Sequence, residues 1–424
     1  MPPGNDDSRT ALRQKLHRLG LRPARDVRPA PRPILPAPPQ LPGEERATPH
    51  GSAFVLSERY SLDYTHGARP LSDLPRRTPA AAAALFRGAP FTPPDLTGLA
   101  FLDTETTGLH AAGSLVFLVG LGRFDDNEFV IEQYFLRQPD EEPALLAALA
   151  ERLSHASGLV TFNGRSFDLP MLTSRVTLNQ LDLPWTASAL PHLDLLHPAR
   201  RLWRGRYENC RLVTLEHELL GHARTNDDIP GWMIPEVYHA YLRTGALHDI
   251  QRVLYHNLHD VLAMVTLTAH LLDVFHDDPA MVEDGAAVLR SALWHDDHAQ
   301  PAAAEAAYQS ALAANLPDDD HVLALQRYAA FLKKHNRRAE AVPYWQLLTD
   351  LLPTDPKPAL ELAIYYEHHG HDLPAALRWT ARARQSAGLL PTLWQRNDWL
   401  NKLDQRRARL QRKLALTGAT ADEH

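Results

Sequence analysis

The sequence predicts an α/β domain with a mixed sheet in the order β-β-β-α-β, followed by an all-α domain of repeated helix pairs. Three observations carry this. Apolar runs over residues 99–103, 115–124 and 129–135 are separated by turn residues rich in Gly, Asp and Asn, which reads as an antiparallel meander. A helical pattern over 141–155 is followed by a continuous apolar run over 158–162, so strands, then a helix, then a strand make a mixed sheet. Beyond about residue 277, helical segments recur with small residues at a fixed interval: Ala329 and Ala363 are 34 apart, while Ala306, Ala341 and Ala376 follow at 35. That interval, with Tyr328, Trp345, Tyr365 and Trp379 beside the alanines, predicts tetratricopeptide-like helix pairs that must stack to bury their apolar faces.

Composition bounds the function. The 424 residues are 44% hydrophobic, enough for more than one core, and a net charge of −7 excludes a broadly basic protein that coats nucleic acid. The single cysteine, Cys210, cannot form an intrachain disulfide, which fits a reducing compartment. No apolar run reaches the roughly 20 residues needed to span a bilayer, and the N-terminus lacks the apolar segment of a signal peptide. We therefore expect a cytoplasmic protein without a membrane partner.

In chain order, Leu12, Leu16 and Leu19 share one face of a short basic amphipathic segment. Proline and arginine then dominate, so residues 1–49 read as a disordered N-terminal segment, either a solvated linker or a tether. Domain boundaries are expected at 50–277 for the α/β unit and 278–424 for the helical unit. Residues 54–56 are strand-like, and 79–86 form an Ala-rich helical piece.

The chemistry is concentrated at the end of the first strand of the meander. Residues i and i+2 of a strand project to one face, so Asp103 and Glu105 place two carboxylates side by side after an apolar run. Their repulsion becomes favourable when a divalent cation sits between them. Asp168 follows the strand over 158–162 and the turn Asn163-Gly164, near a helix start, where it serves as a cap or as a further ligand. In Tyr255-His256-Asn257-Leu258-His259-Asp260, His256 and Asp260 are displaced by only about 40° on a helix, whereas Tyr255 lies about 140° from Asp260. Four carboxylates without a thiolate make a hard oxygen cage suited to Mg²⁺ or Mn²⁺. Two such ions about 3.5–4 Å apart serve phosphodiester displacement, with a histidine orienting or deprotonating the water.

This ordered set resembles the DEDD group of exonucleases in the ribonuclease H-like superfamily, and within it the YprB-type bacterial branch. The matching residues are Phe101-Leu102-Asp103-Thr104-Glu105-Thr106-Thr107-Gly108, then Phe162-Asn163-Gly164 with Phe167-Asp168, then His256-Asn257 with Asp260-Val261. The resemblance covers about residues 50–275. It implies a ribonuclease H-like fold and 3′-to-5′ exonuclease activity on nucleic acid with a single-stranded 3′ end. Asp103, Glu105, Asp168 and Asp260 would hold two metal ions, and His256 would act on the water. The chain departs from the family in its final motif: it has histidine with three intervening residues before Asp260, and counting four lands on Tyr255.

Thr106 and Asn163, inside these motifs, are candidates for substrate contact. So are Arg201 and Trp203 in the run Arg200-Arg201-Leu202-Trp203-Arg204, where arginines would meet phosphates and the indole would stack a base. A loop of solvated arginines around a buried Trp203 is the alternative. Asp194 either braces the site or caps a helix. Glu216 is expected to be exposed or locally paired, and Asp227 and Asp228 to serve loop structure. The basic last helix, with Leu400, Leu403, Leu410 and Leu414 on one side, reads as a cap with either a solvated or a phosphate-binding face. The expected function is metal-dependent phosphodiester hydrolysis, with the helical repeats recruiting a protein partner. A nucleic-acid-binding scaffold and a structure-selective endonuclease are the alternatives.

Overall fold

The computed structural model describes residues 41–79, 82, 85, 95–108, 113–183, 190–275 and 284–421. The amphipathic segment around Leu12–Leu19 lies outside them, as does most of the Ala-rich piece at 79–86. Strands β1 (Glu44–Thr48), β2 (Gly51–Ser61), β5 (Leu99–Thr106), β6 (Val116–Asp125), β7 (Glu128–Phe135), β8 (Gly158–Thr161) and β9 (His192–Asp194) form one sheet in the order β1-β2-β7-β6-β5-β8-β9. A two-stranded hairpin, β3 (Thr65–His66) and β4 (Arg69–Pro70), stands apart from it.

Strands β5, β6 and β7 are an antiparallel meander, while β8 runs parallel to β5 and β9 parallel to β8. Helix α1 (Glu142–Leu153) makes the crossover into β8. The expected β-β-β-α-β core is thus present. One boundary differs: Glu44–Thr48 pairs with Gly51–Val55, so the folded domain takes in residues assigned from composition to the disordered segment 1–49. Glu44-Glu45-Arg46-Ala47-Thr48 has one apolar residue and no two-residue alternation, so nothing local marks it as a strand.

The sheet has a core on each face, as the two-residue period of its strands requires. Leu99 and Phe101 of β5 join the cluster built with the later turns of α6 (His248–Val274), including Val261, Leu262 and Val265. Ala100 and Leu102 join the opposite cluster with α1. Asp103 and Glu105 continue the first of these series, toward α6. Glycines in β6 let α6 approach closely: a Cβ at Gly120 would collide with the Asn257 amide, and one at Gly122 with Val261 and Phe129.

The helical unit consists of α7 (Gly285–Asp297) with α8 (Pro301–Ala313), α9 (Asp318–Lys334) with α10 (Arg338–Leu351), and α11 (Lys357–His368) with α12 (Leu373–Gly388). The long α13 (Leu393–Ala421) closes the stack. Ala329, Ala341, Ala363 and Ala376 are buried, as the repeat predicted. The basic face of α13 is partly consumed by the fold. Arg406, Arg409 and Lys413 reach the buried Glu367 carboxylate at 2.6, 2.8 and 2.7 Å. No helix among the described residues is long and apolar enough to cross a membrane.

Candidate active site

Strand β5 ends in a bulge between Glu105 and Thr106, so Asp103 and Glu105 emerge at the sheet end where the parallel strand β8 also stops. Helix α2 (Asp168–Leu178) starts just beyond β8, and its first residue, Asp168, is buried. The Thr104 hydroxyl donates to Asp168 Oδ1 at 2.5 Å and ties that helix start to β5. From the other side, α6 brings up His256 and Asp260, with His256 Nε2 3.5 Å from Asp260 Oδ2. Ligand atoms of Glu105, His256 and Asp260 lie within 4.8 Å of one another.

Electrostatics records the same convergence. Asp103 is pushed well above the usual carboxylate range by burial and then by the charges of Asp260, Glu105 and Asp168, against the hydrogen bond from Asn257. Burial first, and then Asp260 and Asp168, raise Glu105 to about 8, while His256 opposes the shift. Asp168 rises to about 6 through burial, which its bond from Thr104 only partly offsets. Burial disfavours the charged form of His256, but the hydrogen bond to Asp228 and the charges of Asp260 and Glu105 outweigh it and carry the group to about 9. Like charges crowded into a poorly solvated place, with one imidazolium as partial compensation, are a site that gains from a divalent cation.

Residues 100–272, from β5 to the end of α6, match the family model for the RNase H superfamily. The chain is also 32% identical over 318 residues to the protein named Uncharacterized protein YprB of Bacillus subtilis (strain 168), an alignment covering 74% of this chain and 75% of that one. This chain belongs to the RNase H superfamily. Its mixed-sheet domain is an RNase H-like fold with an all-helical region appended. Superfamily membership supports a hydrolase acting on nucleic acid.

Several partners in this RNase H-like site were not singled out from the sequence. Asn257 is fully buried; its Nδ2 donates to Asp103 Oδ2 at 2.8 Å, and its Oδ1 accepts from Gln133 Nε2 at 2.9 Å. Asp228, assigned to loop structure, holds His256 Nδ1 at 2.7 Å. Arg224 spans the region, with Nε 2.7 Å from Glu216 Oε2 and Nη2 2.5 Å from Asp260 Oδ1. Glu216, expected to be exposed or locally paired, is instead a fully buried ion-pair partner. Only the adjacency of Asn257 to His256 offered a signal; nothing local in the sequence links residue 224 to residue 260.

Asp194 braces local backbone beside the site. Its carboxylate accepts from the backbone N–H groups of Asn163 and Arg165, which braces the β8–α2 turn, and from Leu196, which starts helix α3 (Leu196–Trp203).

Of the expected substrate contacts, Trp203 needs correction. Trp203 is fully buried in the apolar cluster that also holds Phe275 and, from the helical unit, Trp294, so its indole is not available to stack a base. Arg201 pairs with Asp297 of α7 at 2.5 Å, fastening the helical region to the RNase H-like domain. The buried Thr106 hydroxyl donates to Gly108 O at 2.8 Å within the turn. Asn163 holds the left-handed conformation of its turn, at φ 69°. Tyr255 accepts from the Thr225 hydroxyl at 3.2 Å and packs on the His259 ring, leaving His256 as the residue of this pair directed at the carboxylates.

Proposed function

We propose that this chain is a divalent-metal-dependent exonuclease that removes nucleotides stepwise from single-stranded 3′ ends. The reading rests on the mutual electrostatic coupling of Asp103, Glu105, Asp168 and Asp260, with His256 beside Glu105 and Asp260. The donors are oxygens, the set suits Mg²⁺ or Mn²⁺, and a bound divalent cation would lower the carboxylate pKa values that burial and mutual repulsion raise. Held by these four side chains, two ions would lower the pKa of an attacking water and stabilise charge on the phosphodiester.

The chain's own residues do the rest. Asp228 fixes His256 through Nδ1, which leaves Nε2 on the side of Asp260 to orient the water. Asn257 and Thr104 hold Asp103 and Asp168 in place, as outer partners of metal-binding carboxylates do. Arg224, buried between Glu216 and Asp260, holds the Asp260 carboxylate in place. The 3′-to-5′ direction is carried over from the family resemblance. We assign the helical repeats to recruiting a protein partner.

The test is digestion of end-labelled single-stranded and duplex DNA and RNA with Mg²⁺ or Mn²⁺, with Asp103→Asn as control. Stepwise loss from the 3′ end, abolished by the substitution, supports the exonuclease. Internal cuts would favour a structure-selective endonuclease, and binding without turnover a scaffold. Cleavage unaffected by Asp103→Asn would place the activity elsewhere.

A further inference from the structure

A second group of metal-ligating side chains lies behind the carboxylate site and takes no part in the function proposed above. His66 ends strand β3, Glu216 sits on α4 (Leu212–Leu220), His222 follows the end of that helix, and His259 belongs to α6. Gly221 makes the approach possible. Its left-handed backbone (φ 65°) turns the chain back after α4, so that His222 N–H bonds to Glu216 O at 3.2 Å. The hairpin is tied to the same corner by Ala68 N–H to Leu220 O at 2.8 Å.

One ligand atom from each of the four side chains falls within 4.8 Å of all the others. His66 Nε2 is 2.8 Å and His222 Nε2 3.9 Å from Glu216 Oε1. These values bracket the roughly 3.3 Å edge of a tetrahedron of N and O ligands about 2.0–2.1 Å from a zinc ion.

Independent of that spacing is the hydrogen-bond accounting. His66 and Glu216 are fully buried and His259 nearly so, yet His66 Nδ1, His222 Nε2 and His259 Nδ1 find no hydrogen-bond partner among the described residues. The rings crowd together instead, His66 stacking on His222 at 4.1 Å and His222 on His259 at 5.2 Å between centroids. Buried imidazole nitrogens are costly to leave unpaired; His66 already meets Glu216 Oε1 through Nε2, while the unpaired His222 Nε2 lies 3.9 Å from the same oxygen, a spacing that a shared zinc ion would serve. Three imidazoles and a carboxylate in closed, four-coordinate geometry suit zinc over the hard cations that an all-oxygen cage takes.

We infer that His66, Glu216, His222 and His259 form a structural zinc site that clamps the β3–β4 hairpin and the end of α4 onto α6. Glu216 Oε2 also binds Arg224, whose other arm holds Asp260, so the zinc corner and the carboxylate site share one arginine.

The experiment is zinc binding to the full chain, stripped with chelator, returned to chelator-free buffer and titrated with Zn²⁺ in excess Mg²⁺. Bound metal is counted after equilibrium dialysis. The expected result is one tightly held Zn²⁺ per chain in the wild type and in Asp103→Asn. In His222→Ala, affinity should fall by more than the roughly 10–100-fold that altering an outer partner costs. His222 is partly exposed at a turn, so the variant should keep the wild-type far-ultraviolet circular dichroism. Co²⁺ loaded into the wild type should give the intense visible bands of a tetrahedral nitrogen-rich site, which needs no substitution. Failure of the folded wild type to take up zinc would overturn the inference, as would uptake lost in Asp103→Asn but kept in His222→Ala. A failed exonuclease reading would show in the digestion assay and leave this count unchanged.

Discussion

Asn257→Ala removes a single side chain that touches the sheet, the helix and Asp103 at once. Its amide lies over Gly120, donates 2.8 Å to Asp103 Oδ2, and accepts from Gln133, which keeps a second bond to Leu254 O at 2.8 Å. Truncation therefore strands chiefly the Asp103 oxygen. In chelator, burial and the charges of Asp260, Glu105 and Asp168 push Asp103 toward its neutral form, and losing a hydrogen bond between neutral groups costs about 1 kcal/mol. With Mn²⁺ bound the carboxylate is ionised, and the same loss rises to about 1.5–3 kcal/mol. Affinity for the ion, read from the Mn²⁺ dependence of digestion, should weaken about 10–100-fold. Urea unfolding with and without Mn²⁺ measures the two stabilities. A variant within about 0.5 kcal/mol of wild type in both conditions, with an unchanged Mn²⁺ requirement, would refute the idea that Asn257 positions Asp103.

Other outcomes follow from the same geometry. Without metal, stability should fall as pH rises from about 7, above the range where the histidines buried neutral titrate, toward about 9. The folded chain holds protons on Glu105 (about 8), Asp168 (about 6) and His256 (about 9) that the unfolded chain releases earlier. Saturating Mg²⁺ should flatten that decline in thermal unfolding, and an unchanged slope would contradict the shared carboxylate site. His256→Ala should slow single-turnover digestion by about 10² or more, with Tyr255→Phe within a few-fold of wild type; the reverse ranking would make Tyr255 the water-orienting group. Glu367→Ala leaves the mostly buried Arg406 without its partner while the half-exposed Arg409 and Lys413 turn to solvent, and should destabilise the docking of α13 by about 1–3 kcal/mol. Limited proteolysis would detect this as early loss of the C-terminal helix. Gly120→Ala should cost about 1–3 kcal/mol through collision with Asn257, read by the same urea titrations.

What the sequence determined by itself is what local periodicity encodes. The two-residue alternation of β5 put Asp103 and Glu105 on one face, the helical spacing of His256 and Asp260 set them together, and the alanine interval marked out the helix pairs. Each of these is a relation between residues a few positions apart, or a repeat, and a chain displays such relations whether or not it is folded. Only the tertiary structure decided what distant side chains do to one another. It buried Trp203 at the junction with the helical region, turned Arg201 to Asp297, set Asn257 on Asp103, and joined Glu216 to Asp260 through Arg224. It also gathered His66, His222 and His259 around Glu216 from three separate segments. The physical reason is that burial and electrostatics act through space: whether an arginine meets solvent, a phosphate or a carboxylate depends on which elements pack beside it, and that information is spread over the whole core.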